Sequence, residues 1–200
     1  MILVFYLHQI NEQAISNDDP RFQKIAQDGV TLSPWQGPWA CVFDKQQNLL
    51  WEVKRDDESI HDGYWTYSWF DGQRGVENRG DCYFKSERCD TLDLIKRVNQ
   101  QALCTVNQWR LPTQKELQTL MINNDRPNEN QIAVDYFPQM QRGDFWTSDH
   151  SKPLPTRYRA LKEGATVVNF QQSSSQILPY RNAAFVILVN DNFTPLTFTE

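Results

Sequence analysis

What the 200-residue chain lacks narrows its class before any motif is read. No stretch is long and apolar enough to span a membrane. There are no internal repeats and no low-complexity tracts. Basic charge is not in excess: 20 Lys and Arg stand against 25 Asp and Glu, a net charge of −5. That excludes a general binder of nucleic acid or another polyanion, which needs clustered cations. There is no P-loop and no GxGxxG. There is also no GxSxG nucleophile elbow, and Ser173-Ser174-Ser175 reads as a polar loop. The cysteines (Cys41, Cys82, Cys89, Cys104) form no CxxC, and the histidines (His8, His61, His150) are scattered, so zinc-ligand spacing is missing. No residue takes a catalytic or metal role on these grounds, and the chain reads as a non-enzyme. Asp56, Asp57, Glu58, Asp62 and Asp71 offer oxygens of the kind calcium prefers, but without DxDxDG spacing. They read as solvated loops, with calcium the one cofactor left open.

What is present is an ordinary globular composition, 40% hydrophobic and 22% charged, enriched in aromatics with 7 Trp. Such aromatic density suits a loop-heavy fold pinned by large side chains. An even cysteine count without metal spacing reads as structural disulfides, which places the chain in the periplasm or outside the cell. Residues 1–6 are apolar but carry neither a basic start nor a small-residue cleavage site. Export is therefore inferred from the cysteines, not from a visible leader.

Residues 1–34 read as an N-terminal extension holding a short helix over 21–27. Residues 35–200 read as the compact domain, entered at Trp35-Gln36-Gly37-Pro38-Trp39. Residues 42–53 predict a hairpin with Asp44 and Asn48 as turn formers. Trp65, Tyr67 and Trp69 alternate with Thr66, Ser68 and Phe70, a strand-like period of two. A helix capped by Asp90 or Thr91 runs to about Ala102, with Leu94, Ile95 and Val98 on one face. In Trp109-Arg110-Leu111-Pro112-Thr113, Pro112 forces Leu111 toward extended geometry. Thr113 then caps a second helix, and Glu116 completes a capping box. Further strands are expected at 145–148, 158–161, 167–170 and 183–189, the last apolar throughout and so central. The sum is an α+β fold with two helices, short antiparallel strands and long loops.

Several blocks taken together resemble the Lcl C-terminal domain family. They are Trp39-Ala40-Cys41-Val42, Leu50-Trp51-Glu52-Val53-Lys54, Thr66-Tyr67-Ser68-Trp69 and Cys89-Asp90-Thr91. The central signature Leu103-Cys104 with Trp109-Arg110-Leu111-Pro112-Thr113 and Glu116 follows, then Asp135-Tyr136-Phe137-Pro138 and Phe145-Trp146-Thr147-Ser148. The resemblance covers roughly residues 39–190. It implies a fold similar to C-type-lectin-like and formylglycine-generating-enzyme-like domains, and a secreted or surface bacterial protein. It also implies a trimeric adhesin module that binds sulfated glycans, as in the founding member. Two departures stand out. The chain has Thr105 and Gln108 where members carry Gly and Asp, and it is acidic where the glycan-binding member relies on positive charge.

A helix over 90–102 would hold its ends roughly 18 Å apart, too far for Cys89 and Cys104 to bridge. Cys82–Cys89 and Cys41–Cys104 are the expected pairs. Arg110 reads as scaffold, forked onto a carboxylate or backbone carbonyls. Tyr64, Trp65, Tyr67 and Trp69 read chiefly as core, since alternation exposes at most one face. For a ligand site, the first candidates are Tyr64, Trp69, Arg142, Asp144 and Arg157, in or beside predicted loops. A local basic patch over Arg142, Lys152, Arg157, Arg159 and Lys162 is compatible with the acidic total. The expected function is a non-enzymatic secreted or surface binding module for a glycan or protein. The alternatives are a structural subunit of a pilus or fibre tip and a degenerate oxidase-like enzyme.

Overall fold

The computed structural model describes residues 19–82, 88–121, 132–158 and 160–195. The first hairpin forms as its turn chemistry dictates. β2 (Cys41–Asp44) and β3 (Leu49–Glu52) pair antiparallel, with Cys41 opposite Glu52 and Asp44 opposite Leu49. Asp44 Oδ1 accepts from the N–H groups of Gln46 and Gln47, at 3.0 and 3.2 Å, and Asn48 takes the left-handed φ of 54°. Arg21 grips the other oxygen of Asp44 from Nη2 at 2.6 Å and also donates to Thr119 O, tying the hairpin turn to the second helix.

Residues 21–27 are not helical. β1 (Phe22–Ile25) pairs antiparallel with β2 as the edge of the first sheet, whose order is β1-β2-β3 followed by Val189–Asn190 (β8). Asp19 Oδ1 accepts from the N–H groups of Arg21 and Phe22 and so starts the strand. Phe22 and Ile25 then bury on opposite faces of the sheet, a placement that a helix spacing of three would forbid.

α1 (Thr91–Gln101) is capped by Asp90, whose side chain accepts from Asp93 N, and buries Leu94 and Val98. It ends at Ala102 in left-handed geometry, and one 3-10 turn follows (Leu103–Thr105). α2 (Gln114–Thr119) carries the expected capping box between Thr113 and Glu116 and buries Leu117.

The second sheet is built on β6 (Glu163–Asn169). β4 (Asp144–Trp146) and β5 (Lys152–Pro153) lie along one edge, and β7 (Ser174–Pro179) pairs along the other. All these pairings are antiparallel. Ser174 and Ser175 therefore open a strand instead of remaining loop, while Ser173 stays in the turn before it. Where a strand was expected at 158–161, Tyr158 instead ends a 3-10 turn (Thr156–Tyr158) after Pro155, with Tyr158 N–H on Pro155 O and Leu161 N–H on Tyr158 O. The segment 183–189 is mostly buried but is not one strand. Ala184 bridges Tyr67, Phe185 bridges Phe145, and only β8 (Val189–Asn190) joins the ladder of β3. The aromatic segment 66–70 is likewise a chain of isolated bridges, to Asp81, Ala184, Asp90 and Gly75.

Both faces of the sheets are covered. Cys41, Phe43, Leu50 and Val167 enter one core, while Val42, Trp51, Val168 and Val189 enter the other. Alternation along β2, β3 and β6 thus buries both sides of the strand, the mark of a covered sheet. The disulfides are Cys41–Cys104 and Cys82–Cys89, as expected, and no cysteine is free. Cys41–Cys104 fastens β2 to the turn after α1. Among the described residues no helix is long and apolar enough to cross a membrane. Two disulfides are compatible with an extracellular or periplasmic location.

Candidate functional site

Trp109 threads the signature segment into the core. Its indole N–H faces Leu103 O and Val106 O, and its backbone is held by Asn99 from α1 at 2.7 Å. Arg110 then pairs with β8 through a backbone bridge to Val189. The Arg110 guanidinium forks onto Glu116, with Nη1 to Oε2 at 2.9 Å and Nη2 to Oε1 at 2.8 Å, and reaches Asp191 at 3.1 Å. Glu116 Oε2 also accepts from the N–H of Thr113 at 2.7 Å. The hydrogen bonds it donates to Glu116, against the opposing effect of burial, raise the Arg110 guanidinium further. Burial opposes charge on Glu116, but hydrogen bonds from Arg110 and Thr113 outweigh it and hold that carboxyl below the usual range. Arg110, Thr113 and Glu116 are thus committed to each other as scaffold.

This scaffold walls one side of a cleft of about 340 Å³. Trp69, Phe70 and Leu111 form its apolar lining with Leu92 and Ile95 of α1, and Asp71, Arg110, Ser148 and His150 make the polar rim. Trp69 itself is only 2% exposed. Its indole N–H donates to Thr147 O at 2.9 Å, and its ring lies 4.9 Å from Tyr180 and 5.4 Å from His150. The Trp69 ring is fixed edge and face before any ligand arrives.

The other sequence candidates lie elsewhere. Asp144 and Arg157 meet through Gln176, whose amide donates to Asp144 Oδ2 at 3.1 Å while its oxygen accepts from Arg157 at 3.3 Å. Arg142 is exposed at the approach to β4. Tyr64 stands 58% exposed on the loop after Asp62. The five therefore fall in separate places, with only Asp144 and Arg157 joined. Of the basic patch, Lys152, Arg157 and Lys162 are exposed around β5 and its turn; Arg159 lies outside the described residues.

The acidic loops are spent on their own backbones. Asp62 accepts from the N–H groups of Asp57, Glu58 and Tyr64, and Asp71 from those of Gln73 and Arg74. Among the described residues no group of three or more His, Cys, Asp or Glu side chains could hold a metal ion.

One buried cluster had no counterpart in the sequence reading. Glu52, at 0% exposure, accepts from Lys54 Nζ at 3.1 Å and from the backbone N–H of Leu188 at 3.1 Å. It also faces His61 Nδ1 at 2.8 Å, and the far nitrogen of His61 meets Gln101 Oε1 at 2.9 Å. Burial opposes ionisation of Glu52, yet the Lys54 charge and the hydrogen bond and charge of His61 hold its carboxyl below the usual range. Burial and the Glu52 charge push the nearby Tyr67 phenol well up. The only signal in the sequence was the Glu-x-Lys pattern closing an apolar strand, which named no partner.

In comparison with known families, residues 40–190 match the Lcl C-terminal domain. No curated protein and no solved structure matches the chain. Three quarters of the chain, including both disulfide pairs, the signature segment and the cleft beside it, thus lie inside that match, and the chain belongs to the Lcl C-terminal domain family.

Proposed function

We propose that this chain is a non-enzymatic binding module of the bacterial periplasm or cell surface, on a C-type-lectin-like scaffold, and that it recognises a glycan or a protein. The observation that carries this reading is the cleft of about 340 Å³ beside the signature segment. Its apolar lining and sparse polar rim have the makeup of small-ligand sites, near the lower end of their size range. A volume of that order takes one sugar ring or one large side chain. Closure of both disulfides supports this reading over an oxidase-like enzyme, which needs a reactive thiol.

The test is a glycan array and a binding assay against purified surface components, run with the wild type, Leu92→Gln and His150→Ala. Loss of binding in both variants at unchanged melting temperature supports the cleft. Full binding by both variants overturns it. A thiol count on protein taken from its native compartment tests the location separately. Free thiols there would contradict export.

A further inference from the structure

We propose that the cleft at Trp69 takes a protein partner and not a glycan, by way of an apolar side chain set beside a lysine or arginine. The proposal rests on the reading of that cleft given above and names the class of its ligand. The apolar side chain fills the cleft, and its basic neighbour meets Asp71 at the rim.

The walls favour a side chain over a sugar. A sugar ring needs an open aromatic face to lie on, and its hydroxyls need partners once they leave water. Trp69 offers neither face nor donor: it is 2% exposed, and its N–H is spent on Thr147 O. Phe70 is the other large ring of the lining and is half-buried. The remaining walls are branched aliphatics, Leu92 and Ile95 from α1 and Leu111 from the signature segment. Such walls are matched by one aliphatic or aromatic side chain, whose apolar surface leaves water as it enters.

The rim selects a cation. Arg110 is the one arginine or lysine in the lining. Its Nη atoms make four hydrogen bonds, one to Leu111 O, two to Glu116 and one to Asp191. All four Nη N–H groups are therefore spent, and a carboxylate or sulfate entering the cleft finds no fork to grip. Asp71 is placed differently. Its Oδ1 accepts from the N–H groups of Gln73 and Arg74, at 2.8 and 2.6 Å. Among the described residues its Oδ2 meets only the Arg74 guanidinium, at 3.4 Å. Burial opposes charge on Asp71, but the hydrogen bonds from Arg74 and Gln73 outweigh it and hold the carboxyl below the usual range. Three carboxylates (Asp71, Glu116, Asp191) thus stand against two guanidiniums (Arg74, Arg110) around the cleft. That surplus attracts a base and repels an acid.

Acid and apolar wall are also adjacent. Phe70 is laced to the start of α1: its N–H donates to Thr91 Oγ1 at 2.9 Å, and that hydroxyl donates to Phe70 O at 2.7 Å. Gly72 lies so close to Leu92 that a Cβ added to it would be 3.3 Å from Leu92 Cδ2. Asp71, between Phe70 and Gly72, is held beside the Leu92 wall. A chain that fills the cleft with one residue brings the next within reach of Asp71.

The experiment follows the indole and methyl resonances of the whole, disulfide-closed chain by NMR as probes are added. The probes are the end-capped peptides Gly-Ser-Leu-Lys-Ser-Gly, Gly-Ser-Leu-Glu-Ser-Gly and Gly-Ser-Ser-Lys-Ser-Gly, with cellotetraose and a heparin tetrasaccharide as the glycan arm. The Leu-Lys peptide is expected to shift Leu92 and Ile95, and the other two peptides to bind more weakly by roughly threefold or more. Asp71→Asn keeps an acceptor for the loop and drops the charge. It should weaken the Leu-Lys peptide roughly two- to fivefold, the range of one exposed charge contact. Raising NaCl from about 0.05 to 0.5 M should weaken that peptide on the wild type, where the charge is screened, so the test does not depend on the variant folding. Leu92→Gln should abolish the shifts. Equal binding of the Leu-Lys and Leu-Glu peptides, or no effect of salt, overturns the proposal. Shifts from a glycan and from no peptide overturn it and leave the cleft a binding site. A cleft silent to every probe sinks the proposal together with the reading on which it rests.

Discussion

Arg110 and Glu116 form a two-pronged ion pair whose carboxylate also completes the cap of α2. One carboxylate therefore holds the Arg110 guanidinium and closes the helix start at once. Arg110→Lys keeps the charge but loses the fork, because an ammonium is a point charge and not a planar pair of donors. Arg110→Ala loses both. Since 36% of the Arg110 side chain is in solvent, the cost is discounted for screening to on the order of 1 kcal/mol. That corresponds to a melting temperature lower by about 2–4 °C for Arg110→Ala, with Arg110→Lys in between. A thermal melt of the three proteins checks it. An unchanged Arg110→Ala melt would mean the pair is ornamental to stability.

Acid should unfold this protein through its lowered carboxylates. The folded-state value of Glu52 lies below 4.5, so its stabilisation is complete above about pH 4.5 and is lost as pH falls through the lowered value. Glu116, Asp57 and Asp71 are lowered as well and act in the same direction. Glu52→Gln removes the titrating group but leaves the Lys54 ammonium without its counter-charge and the His61 ring without its carboxylate partner. At neutral pH it should cost about 3–5 kcal/mol, the usual result of breaking one partner of a buried pair. Urea unfolding from pH 3 to 7 should show a steep acid limb for the wild type and a shallower one for Glu52→Gln. Equal slopes would remove Glu52 from the account.

Local chemistry was legible in the sequence, and long-range partners were not. The capping box of Thr113 and Glu116, the helix start at Asp90 or Thr91, and the turn formers Asp44 and Asn48 act within a few residues and were read correctly, the structure choosing Asp90 as the cap. The length of α1 excluded only a Cys89–Cys104 bridge, and the short loop from Cys82 to Cys89 favoured the pairs that form. By contrast, Phe22 and Ile25 are spaced for one helix face but serve two faces of a sheet, which only the position of β2 reveals. The first half of β7 is serine and glutamine, without an apolar period to betray a strand. Residues 183–189 read as a strand because they are apolar, but Leu188 spends its N–H on the Glu52 carboxylate instead of on a ladder. For the site, Trp69 was named and lines the cleft, while Leu92 and His150, which line it too, were not among the ligand candidates. Lining a cleft is a property of packing, and nothing in a residue's neighbours along the chain states it.

Thr105 occupies a left-handed position, with φ of 65°, a geometry that favours glycine. A β-branched residue there is strained by about 1–2 kcal/mol. Glycine would relieve that strain but lose about 0.5–1 kcal/mol to the freedom of its unfolded chain. The balance favours Thr105→Gly by about 0.5–1 kcal/mol, or a melting temperature higher by roughly 1–3 °C. Gly29 packs directly against the Thr105 side chain, so a Cβ added there would lie 2.7 Å from Thr105 Oγ1. Gly29→Ala should therefore destabilise the wild type more than it destabilises Thr105→Gly. Additive melting shifts in the double variant would show that the two positions do not couple.

The two disulfides should contribute unequally. Cys41 and Cys104 are 63 positions apart, Cys82 and Cys89 only 7. Loop-closure entropy assigns about 4 kcal/mol to the long link and about 2.5 kcal/mol to the short one. The long link also joins β2 to the turn from which the signature segment departs, so its loss frees the wall of the cleft as well as the unfolded chain. The short link holds Cys89 beside the Asp90 cap, where Cys89 O accepts from the N–H groups of Ser68 and Gly80. Replacing Cys41 and Cys104 together with alanine should lower the denaturant midpoint more than replacing Cys82 and Cys89. Urea titrations of both double variants decide the order. A larger loss from the Cys82 and Cys89 pair would mean that native contacts around Ser68 and α1, not chain entropy, set the worth of the staples.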